Sequence, residues 1–338
     1  MAPGTAVRPR GKGDQADRGQ ARARRDHPHG AATAGARRLS DTEAAGAVTI
    51  FAPAKINLYL HVTGRRADGY HLLDSLIAFA DIGDRVTATP ADTLSLTIGG
   101  PEAGALSGLG DDNLVLRAAR HLQARDGIGA GAALHLDKHL PAASGVGGGS
   151  SDAAATLRAL AALWRRPLDP AAPATAAWAA ALGADVPACL AAAPLRIGGI
   201  GEILDPVDPL PAMGIVLANP RRQLPTAAVF RARRGGFGPA PQAMAIPRTA
   251  DGFVAFLAEC RNDLTEAAIG LMPEVAALLD RLQRLPGALL VRMSGSGATC
   301  FALFANRDEA GRAGAALLAA EPGWWVRAGA LLTDQPGV

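Results

Sequence analysis

The sequence predicts an α+β protein with two domains that follow a basic amino-terminal extension. Its 338 residues are enough for two domains of ordinary size. Residues 55–62 alternate apolar and polar side chains as a strand does, whereas residues 114–123 have the apolar spacing of an amphipathic helix. Strand-like and helix-like stretches continue to the end of the chain. We expect the first domain to span residues 48–208 and the second to span residues 209–338.

Residues 1–47 form the extension. They contain nine basic side chains against five acidic ones and almost no large apolar residue. A segment of this composition cannot bury a core, so we expect it to be disordered. The alternatives are a nucleic-acid-binding arm, a transit peptide and a start codon that was placed too far upstream. The rest of the chain carries 25 basic and 26 acidic groups, so we expect no nucleic-acid partner for it.

The apolar segments and the cysteines predict a protein of a reducing compartment. No apolar run reaches the roughly 18 residues that a membrane-spanning helix needs, so we expect no membrane partner. Cys189, Cys260 and Cys300 are far apart and odd in number, without a C-x-x-C pair. This spacing favours buried free thiols over disulfides or a zinc site.

A glycine-rich stretch lies between a strand pattern and a helix pattern. Residues 132–136 alternate like a strand, and four glycines follow within residues 145–149. Residues 150–152 are Ser-Ser-Asp, which are good N-cap residues for the alanine-rich helix that follows. Glycines let backbone N–H groups turn toward an anion, and a helix N-terminus adds a partial positive charge. The stretch therefore predicts a phosphate-binding loop, with a flexible linker as the alternative.

The common phosphate-loop patterns do not fit this stretch. The chain has no G-x-x-x-x-G-K-[ST] sequence, and it lacks the H-R-D and D-F-G motifs of protein kinases. A dinucleotide-binding loop fits poorly, because Ser150 replaces the third glycine of its G-x-G-x-x-G pattern.

The segment from Pro141 to Ala153 closely resembles the glycine-rich motif P-x-x-x-G-[LV]-G-[GS]-[GS]-S-[SA]-[DN]-A of the GHMP kinases. Further segments resemble the same family: P-A-K-I-N-L-Y-L, D-G-Y-H-L-L, A-D-I-G-D, G-A-D-V-P and M-S-G-S-G-A-T-C-F-A-L-F. Together they span residues 53–304. They are most similar to the members that phosphorylate the 2-hydroxyl of 4-diphosphocytidyl-2-C-methyl-D-erythritol in the non-mevalonate isoprenoid pathway.

The resemblance implies a fold and a chemistry. The expected fold is a ribosomal-S5-domain-2-like ATP-binding domain followed by a ferredoxin-like domain, with the site in the cleft. The expected cofactors are ATP and Mg²⁺, and the expected partner is the small-molecule substrate cytidine diphosphate methylerythritol. The resemblance also implies a cytoplasmic enzyme that is a monomer or a weak homodimer.

The resemblance places the catalytic groups at Lys55 and Asp185. Taken alone, Lys55 fits a snorkelling lysine on a half-buried strand, and Asp185 fits an N-cap before a proline. Only three of the 34 basic residues are lysines, which favours a specific role for the two in the body, Lys55 and Lys138.

The other implied site residues fall into two groups. The residues implied to bind the cofactor are Pro141, Ala143, Ser144, Gly145, Val146, Gly147, Gly148, Gly149, Ser150, Ser151, Asn113 and Lys138. The residues implied to bind the substrate are Asn57, Tyr70, His71, Thr226 and Phe230. An aromatic beside the Asp68-Gly69 turn suits stacking on a pyrimidine. Asn113 also fits an N-cap. The sequence does not identify the ligands of Mg²⁺, for which Ser151 is one candidate.

Three other functions compete with this prediction. The first is another GHMP kinase activity, on homoserine or mevalonate, whose substrates offer no pyrimidine to stack. The second is nucleotide binding without catalysis, against which the presence of both Lys55 and Asp185 argues. The third is RNA binding through the basic extension, which would be strongly salt-dependent.

Overall fold

The computed structural model describes residues 46–106, 108, 110–238 and 245–333. The extension was expected to be disordered. Its residues 1–45 lie outside the described part of the chain, and only residues 46 and 47 are described. The strands are β1 Val48–Arg65, β2 His71–Ala91, β3 Ser95–Gly99, β4 Gly131–Asp137, β5 Leu195–Gly198, β6 Ile203–Pro206, β7 Gly214–Asn219, β8 Leu290–Met293, β9 Cys300–Phe304 and β10 Trp325–Ala330. The helices are α1 Leu114–Asp126, α2 Gly148–Leu163, α3 Pro173–Ala179, α4 Val186–Ala191, α5 Thr226–Ala232, α6 Ala250–Ala258, α7 Thr265–Leu271, α8 Glu274–Gln283 and α9 Arg307–Ala320.

The first sheet is built on a long antiparallel hairpin of β1 and β2. On the other edge of β2, β5 pairs near its start and β4 near its end, which gives the order β3-β4-β2-β5-β6 with β1 beside β2. The register of the hairpin shifts after Pro53, which lies opposite Gly83. A bulge is where a strand tolerates proline, and a Cβ on Gly83 would lie 2.2 Å from the carbonyl oxygen of Ala52. These two residues therefore fix the irregularity.

The second sheet has the strand order β10-β7-β9-β8, and each neighbouring pair is antiparallel. Helices α5 to α8 connect β7 to β8, and α9 connects β9 to β10. This is a ferredoxin-like arrangement. The first sheet ends with β6 and the second begins with β7, so the predicted domain boundary between residues 208 and 209 falls between the two sheets. The boundary itself stays a prediction.

Apolar cores fill both domains and continue between them. One core packs β1, β2 and β4 against α1 and α2. A second joins Ile56 and Leu58 of β1 to Leu257, Phe301 and Trp325 of the second domain. The sequence predicted one polar face on β1, yet Lys55, Asn57 and His61 are also buried.

Two expectations from composition can be checked directly. The three cysteines are free and buried, which confirms the prediction. Among the residues that the structure describes, no helix combines the length and the apolar character needed to cross a membrane.

Arg292 on β8 joins three segments through its buried guanidinium. It donates hydrogen bonds to the carbonyl oxygens of Leu58 (2.6 Å), Leu257 (2.8 Å) and Cys260 (2.7 Å). These acceptors belong to β1, to the last turn of α6 and to the chain just after α6. Burial lowers the pKa of Arg292, which nevertheless remains charged at neutral pH.

We expect Arg292→Met to lower the free energy of unfolding by about 2 to 4 kcal/mol, because three carbonyl groups lose their donor in a buried place. Urea denaturation measures this change. Arg284→Met is the matched control, since Arg284 is exposed and pairs only with Asp280 one helical turn away; it should change stability by less than about 0.5 kcal/mol. Equal effects of the two substitutions would contradict the role of Arg292.

Candidate active site

The glycine-rich stretch forms a turn that runs directly into α2. The helix begins at Gly148, and its N-cap is Gly147, whose φ of 62° is easily reached only by glycine. The prediction that residues 150–152 cap this helix is therefore wrong, since they lie inside its first turns. The first N–H groups of a helix have no acceptor within it. Those of Gly148, Gly149 and Ser150 are thus placed to bind a phosphate.

Strand β1 holds the turn from one side. The N–H of Lys55 donates to the carbonyl oxygen of Val146 at 2.9 Å. The hydroxyl of Ser151 donates to the carbonyl oxygen of Pro53 at 2.6 Å. A Cβ on Gly147 would lie 3.1 Å from Cε of Lys55. Because the approach is so close, the lysine side chain lies directly beside the start of α2.

The turn after β8 holds the glycine-rich stretch from the other side. Gly145 has φ 81°, and a Cβ there would lie 2.6 Å from the carbonyl oxygen of Ser294. The Ser294 hydroxyl donates to the carbonyl oxygen of Gly145 (3.0 Å) and accepts from the N–H of Asn57 (3.1 Å). The N–H of Thr299 donates to the carbonyl oxygen of Ser144 at 3.1 Å. Segments far apart in sequence therefore meet through their backbones.

Lys55 and Asp185 form an ion pair beside this turn. Lys55 Nζ lies 3.0 Å from Asp185 Oδ1, and the side chains are 6% and 44% exposed. Lys55 Nζ also donates to Asn57 Oδ1 at 3.3 Å. Asp185 occupies the N-cap position of α4, but its side chain makes no capping hydrogen bond in the described structure. The carboxylate thus pairs with the lysine and is partly exposed, and it does not make the capping hydrogen bond expected from sequence.

Lys138 has a different environment from the one expected. Its ammonium group is 2% exposed and lies 2.5 Å from Asp84 Oδ2 and 2.7 Å from Asp152 Oδ2. Burial alone would lower the pKa of Lys138, but the two carboxylates raise it. The ammonium of Lys138 is therefore already paired with two protein carboxylates. Its direct contact with a nucleotide, implied by the resemblance, stays a prediction.

Asn113 caps α1, as its position before the helix predicted. Its side-chain oxygen accepts from the N–H of Val115 at 2.9 Å. Pro141 accepts a hydrogen bond from the Ser144 hydroxyl through its carbonyl oxygen at 2.7 Å, which shapes the entry to the glycine-rich turn. Ala143, which lies between Pro141 and Ser144, is exposed and has a φ of 48°. The contacts of Asn113, Pro141 and Ala143 with the cofactor stay predictions.

Four of the predicted substrate residues lie at the start of β2 and along α5. The rings of His71 and Phe230 stack with their centroids 5.1 Å apart. Burial, together with Arg65 and Arg233, lowers the pKa of His71, so the ring is neutral at pH 7. Tyr70 is 62% exposed beside them in sequence. The Thr226 hydroxyl, at the start of α5, lies 2.8 Å from the hydroxyl of Ser296.

The fifth predicted substrate residue, Asn57, is tied to a residue that sequence analysis missed. Its side-chain N–H₂ donates to the hydroxyl of Ser75 at 2.8 Å, and Ser75 donates in turn to the carbonyl oxygen of Tyr59. These bonds fix the amide so that its oxygen faces Lys55. Ser75 follows the D-G-Y-H-L-L segment by only two residues, yet no spacing rule distinguishes it from other polar residues on a strand.

Two cavities lie apart from the reacting groups. Their volumes are about 290 and 540 Å³, and both are lined by Arg233, Arg234, Asp263 and Glu266. Neither is lined by Lys55 or by the glycine-rich turn. These two cavities therefore do not coincide with the groups brought together around Lys55.

A resident metal site is not found among the described residues, where no group of three or more His, Cys, Asp or Glu side chains is arranged to hold an ion. Mg²⁺ commonly binds through phosphate oxygens and water with one or two protein carboxylates. Asp185, which is 44% exposed and pairs with Lys55, offers one carboxylate of this kind.

Comparison with known proteins agrees with this geometry. The family model described as GHMP kinases N terminal domain matches residues 113–192, and the one described as GHMP kinases C terminal matches residues 253–322. The 4-diphosphocytidyl-2-C-methyl-D-erythritol kinase of Cereibacter sphaeroides is 56% identical over 82% of this chain and 96% of its own. That of Ruegeria pomeroyi is 53% identical over 85% of this chain and 100% of its own.

Solved structures show the same relation. A crystal structure of 4-(cytidine 5'-diphospho)-2C-methyl-D-erythritol kinase has a TM-score of 0.69 at 37% identity, covering 84% of this chain and 99% of its own. Homoserine kinase from Cytophaga hutchinsonii has a TM-score of 0.63 at 16% identity, covering 88% and 98%, and so shares the fold alone. With matching models in both domains and relatives more than half identical over most of its length, the chain belongs to the GHMP kinase family.

Proposed function

We propose that this protein is an ATP-dependent kinase that phosphorylates the 2-hydroxyl of 4-diphosphocytidyl-2-C-methyl-D-erythritol in the non-mevalonate pathway of isoprenoid synthesis. The observation that carries the proposal is the Lys55–Asp185 ion pair, 3.0 Å long, beside a helix that begins within a glycine-rich turn. Relatives that are 53% and 56% identical bear the name of this kinase.

The start of α2 accounts for the nucleotide end of the reaction. Phosphoryl transfer needs positioning and neutralisation of charge more than it needs covalent chemistry. The N–H groups of Gly148, Gly149 and Ser150 would bind phosphate oxygens, and the partial positive charge of the helix would favour them. Mg²⁺, when bound with ATP, would neutralise further phosphate charge.

Lys55 and Asp185 account for the acceptor end. Asp185 is the more exposed of the two, so its carboxylate is the group that would accept a hydrogen bond from the substrate hydroxyl. The Lys55 ammonium holds that carboxylate in place and reduces the cost of negative charge on the attacking oxygen. Because a carboxylate is a weak base toward an alcohol, the proton would move late, and orientation is the larger part of its role.

The aromatic residues account for the choice of substrate. Neutral His71 stacks on Phe230, and Tyr70 is exposed near them in sequence, so flat apolar surface is available for a pyrimidine ring. Thr226, in the same helix as Phe230, is held by Ser296 of the turn after β8. This turn also contacts Asn57 and Gly145, which links the proposed base-binding surface to the reacting groups.

A single assay tests the proposed substrate. Purified protein with MgATP is offered 4-diphosphocytidyl-2-C-methyl-D-erythritol, homoserine and mevalonate in parallel, and ADP release is measured. We expect turnover of the cytidylylated substrate alone. Equal or better turnover of homoserine or mevalonate would replace the proposed substrate. Binding of ATP without turnover of any of the three would favour a nucleotide-binding protein that lacks catalysis.

We expect Asp185→Asn to lower kcat by about 100-fold or more, because the amide neither accepts the hydroxyl proton nor pairs with Lys55. The dissociation constant for ATP should stay within about threefold of the original. Steady-state kinetics and calorimetry measure the two quantities. Asp208→Asn is the control, since Asp208 is exposed and pairs only with Arg248 at the surface. Near-normal turnover in Asp185→Asn would remove this carboxylate from the mechanism.

We expect Tyr70→Ala to raise KM for the cytidylylated substrate by about 5- to 150-fold, which corresponds to the 1 to 3 kcal/mol of a base-stacking contact. KM for ATP should not change. Leu318→Ala, which removes another exposed apolar side chain, is the control and should leave both KM values unchanged. An unchanged KM for the cytidylylated substrate in Tyr70→Ala would rule out stacking on this ring.

A further inference from the structure

Beneath the phosphate-binding turn lies a buried group of three charged side chains, Asp84, Lys138 and Asp152, which we call the buried triad. Asp84 is fully buried, and Lys138 and Asp152 are each 2% exposed. The Lys138 ammonium lies between the two carboxylates, at 2.5 Å from Asp84 and 2.7 Å from Asp152. The mechanism proposed above uses none of these three side chains, although the resemblance implies a nucleotide contact for Lys138.

The buried triad is attached to both ends of the glycine-rich stretch. Asp84 Oδ1 accepts from the N–H groups of His139 (2.5 Å) and Leu140 (2.8 Å), where the chain enters this stretch. Asp152 lies in the second turn of α2, where the chain leaves it. A Cβ on Gly148 would lie only 3.2 Å from Lys138 Nζ. The ammonium therefore lies directly under the first residue of the helix.

The charges of the buried triad do not balance. Two ionised carboxylates and one ammonium leave a net charge of −1 in a place without solvent. Asp152 Oδ1 is buried without a hydrogen-bond partner among the described residues, whereas both oxygens of Asp84 are bonded. Two carboxylates that share one site seldom ionise together. Asp152 is thus the member on which a proton would restore neutrality.

The charge of the buried triad matters because the amides above it would bind phosphates. A net negative charge there would repel ATP and oppose the positive end of α2. We propose that the buried triad positions the phosphate-binding turn, and that ATP binds to the form of the protein in which Asp152 holds a proton, which keeps the triad neutral beneath the phosphates. Where Asp152 is ionised in the free protein, ATP binding therefore takes up a proton. This inference rests on the proposed ATP binding, and it makes Asp152 a positioning residue.

The groups that face Asp152 agree with this assignment. They are Asp84 from β2, Lys138 from the end of β4 and Cys189 from α4, with Lys55 of β1 beside the start of the helix. The α1 residues packed in the same core are apolar. Burial raises the pKa of the Cys189 thiol to about 12, so it stays neutral. Burial raises the pKa of Asp152 to about 8. The neighbouring Asp84 also raises this pKa, whereas Lys138 lowers it.

The direction of the pH effect follows from this raised pKa. Below about pH 8 Asp152 is protonated and the buried triad is neutral, whereas above that pH it carries −1. ATP affinity should therefore fall as pH rises through this range. The phosphates of ATP have lost their last proton by about pH 7.5, since such protons leave near pH 6. A change between pH 7.5 and 9.5 therefore reports on the protein.

Calorimetric titration with MgATP, without any phosphoryl acceptor, tests the inference. We expect the dissociation constant of the unmodified protein to rise about 3- to 10-fold between pH 7.5 and 9.5, as a unit charge near the phosphates requires. In Asp152→Asn, which keeps the shape but cannot ionise, the rise should be absent. Asp111→Asn is the control; Asp111 is exposed and pairs with Arg120, so this variant should behave like the unmodified protein.

A second measurement needs no variant. Titrations at pH 8.5 in two buffers of different ionisation enthalpy should show an uptake of about 0.3 proton per ATP bound, as linkage to such a change in affinity requires. Zero uptake, or an equal rise of the dissociation constant in Asp152→Asn, would overturn the inference and leave the proposed kinase activity untouched. Failure to bind ATP at every pH would overturn both, whereas binding without turnover of the cytidylylated substrate would overturn only the proposed function.

Discussion

The glycine-rich turn and the turn after β8 touch backbone to backbone, and the candidate active site depends on this contact. At Gly145 there is no room for a side chain, because a Cβ would lie 2.6 Å from the carbonyl oxygen of Ser294 and 2.7 Å from that of Gly297. Ser294 then binds both Gly145 and Asn57. One short turn of the second domain thus fixes the glycine-rich turn and the polar side of β1 together. A larger residue at position 145 would separate them.

The second domain supports this turn from within its own core. Asn262 donates from its side chain to the carbonyl oxygens of Met293 and Gly295, both at 2.8 Å, so the backbone on either side of Ser294 is held by one amide. Asn262 also forms an isolated bridge with Leu60 of β1. The second domain therefore holds the turn after β8 against β1 of the first domain.

The sequence predicted those parts of the molecule whose cause is local. Alternation located β1 and β4, the spacing of apolar residues located α1, and the glycine-rich stretch indicated the turn before α2. The resemblance to GHMP kinases paired Lys55 with Asp185 across 130 residues, and the structure brings them within 3.0 Å. The start of α2 was placed too late, because serine and aspartate are common caps, whereas here the left-handed conformation of Gly147 begins the helix.

What the sequence could not predict depends on contacts between distant segments. Asp84 lies in a segment that resembles the family, but nothing local shows that its carboxylate reaches Lys138 and two N–H groups more than 50 residues away. The burial of Asn57 and His61 is of the same kind. Alternation on β1 predicted only that these residues share a polar face, and contacts from both domains bury that face.

The unequal exposure of the Lys55–Asp185 pair assigns its two members to different tasks. A buried charge is expensive unless it is paired and hydrogen-bonded, and Lys55 meets this condition through Asp185 and Asn57. Its ammonium is enclosed by strand and turn, so in the proposed mechanism it would act through the field it creates. Asp185 is 44% exposed, so it is the member of the pair that an incoming hydroxyl could reach. In that mechanism the strand supplies a fixed cation, and the helix start supplies the carboxylate that would contact the substrate.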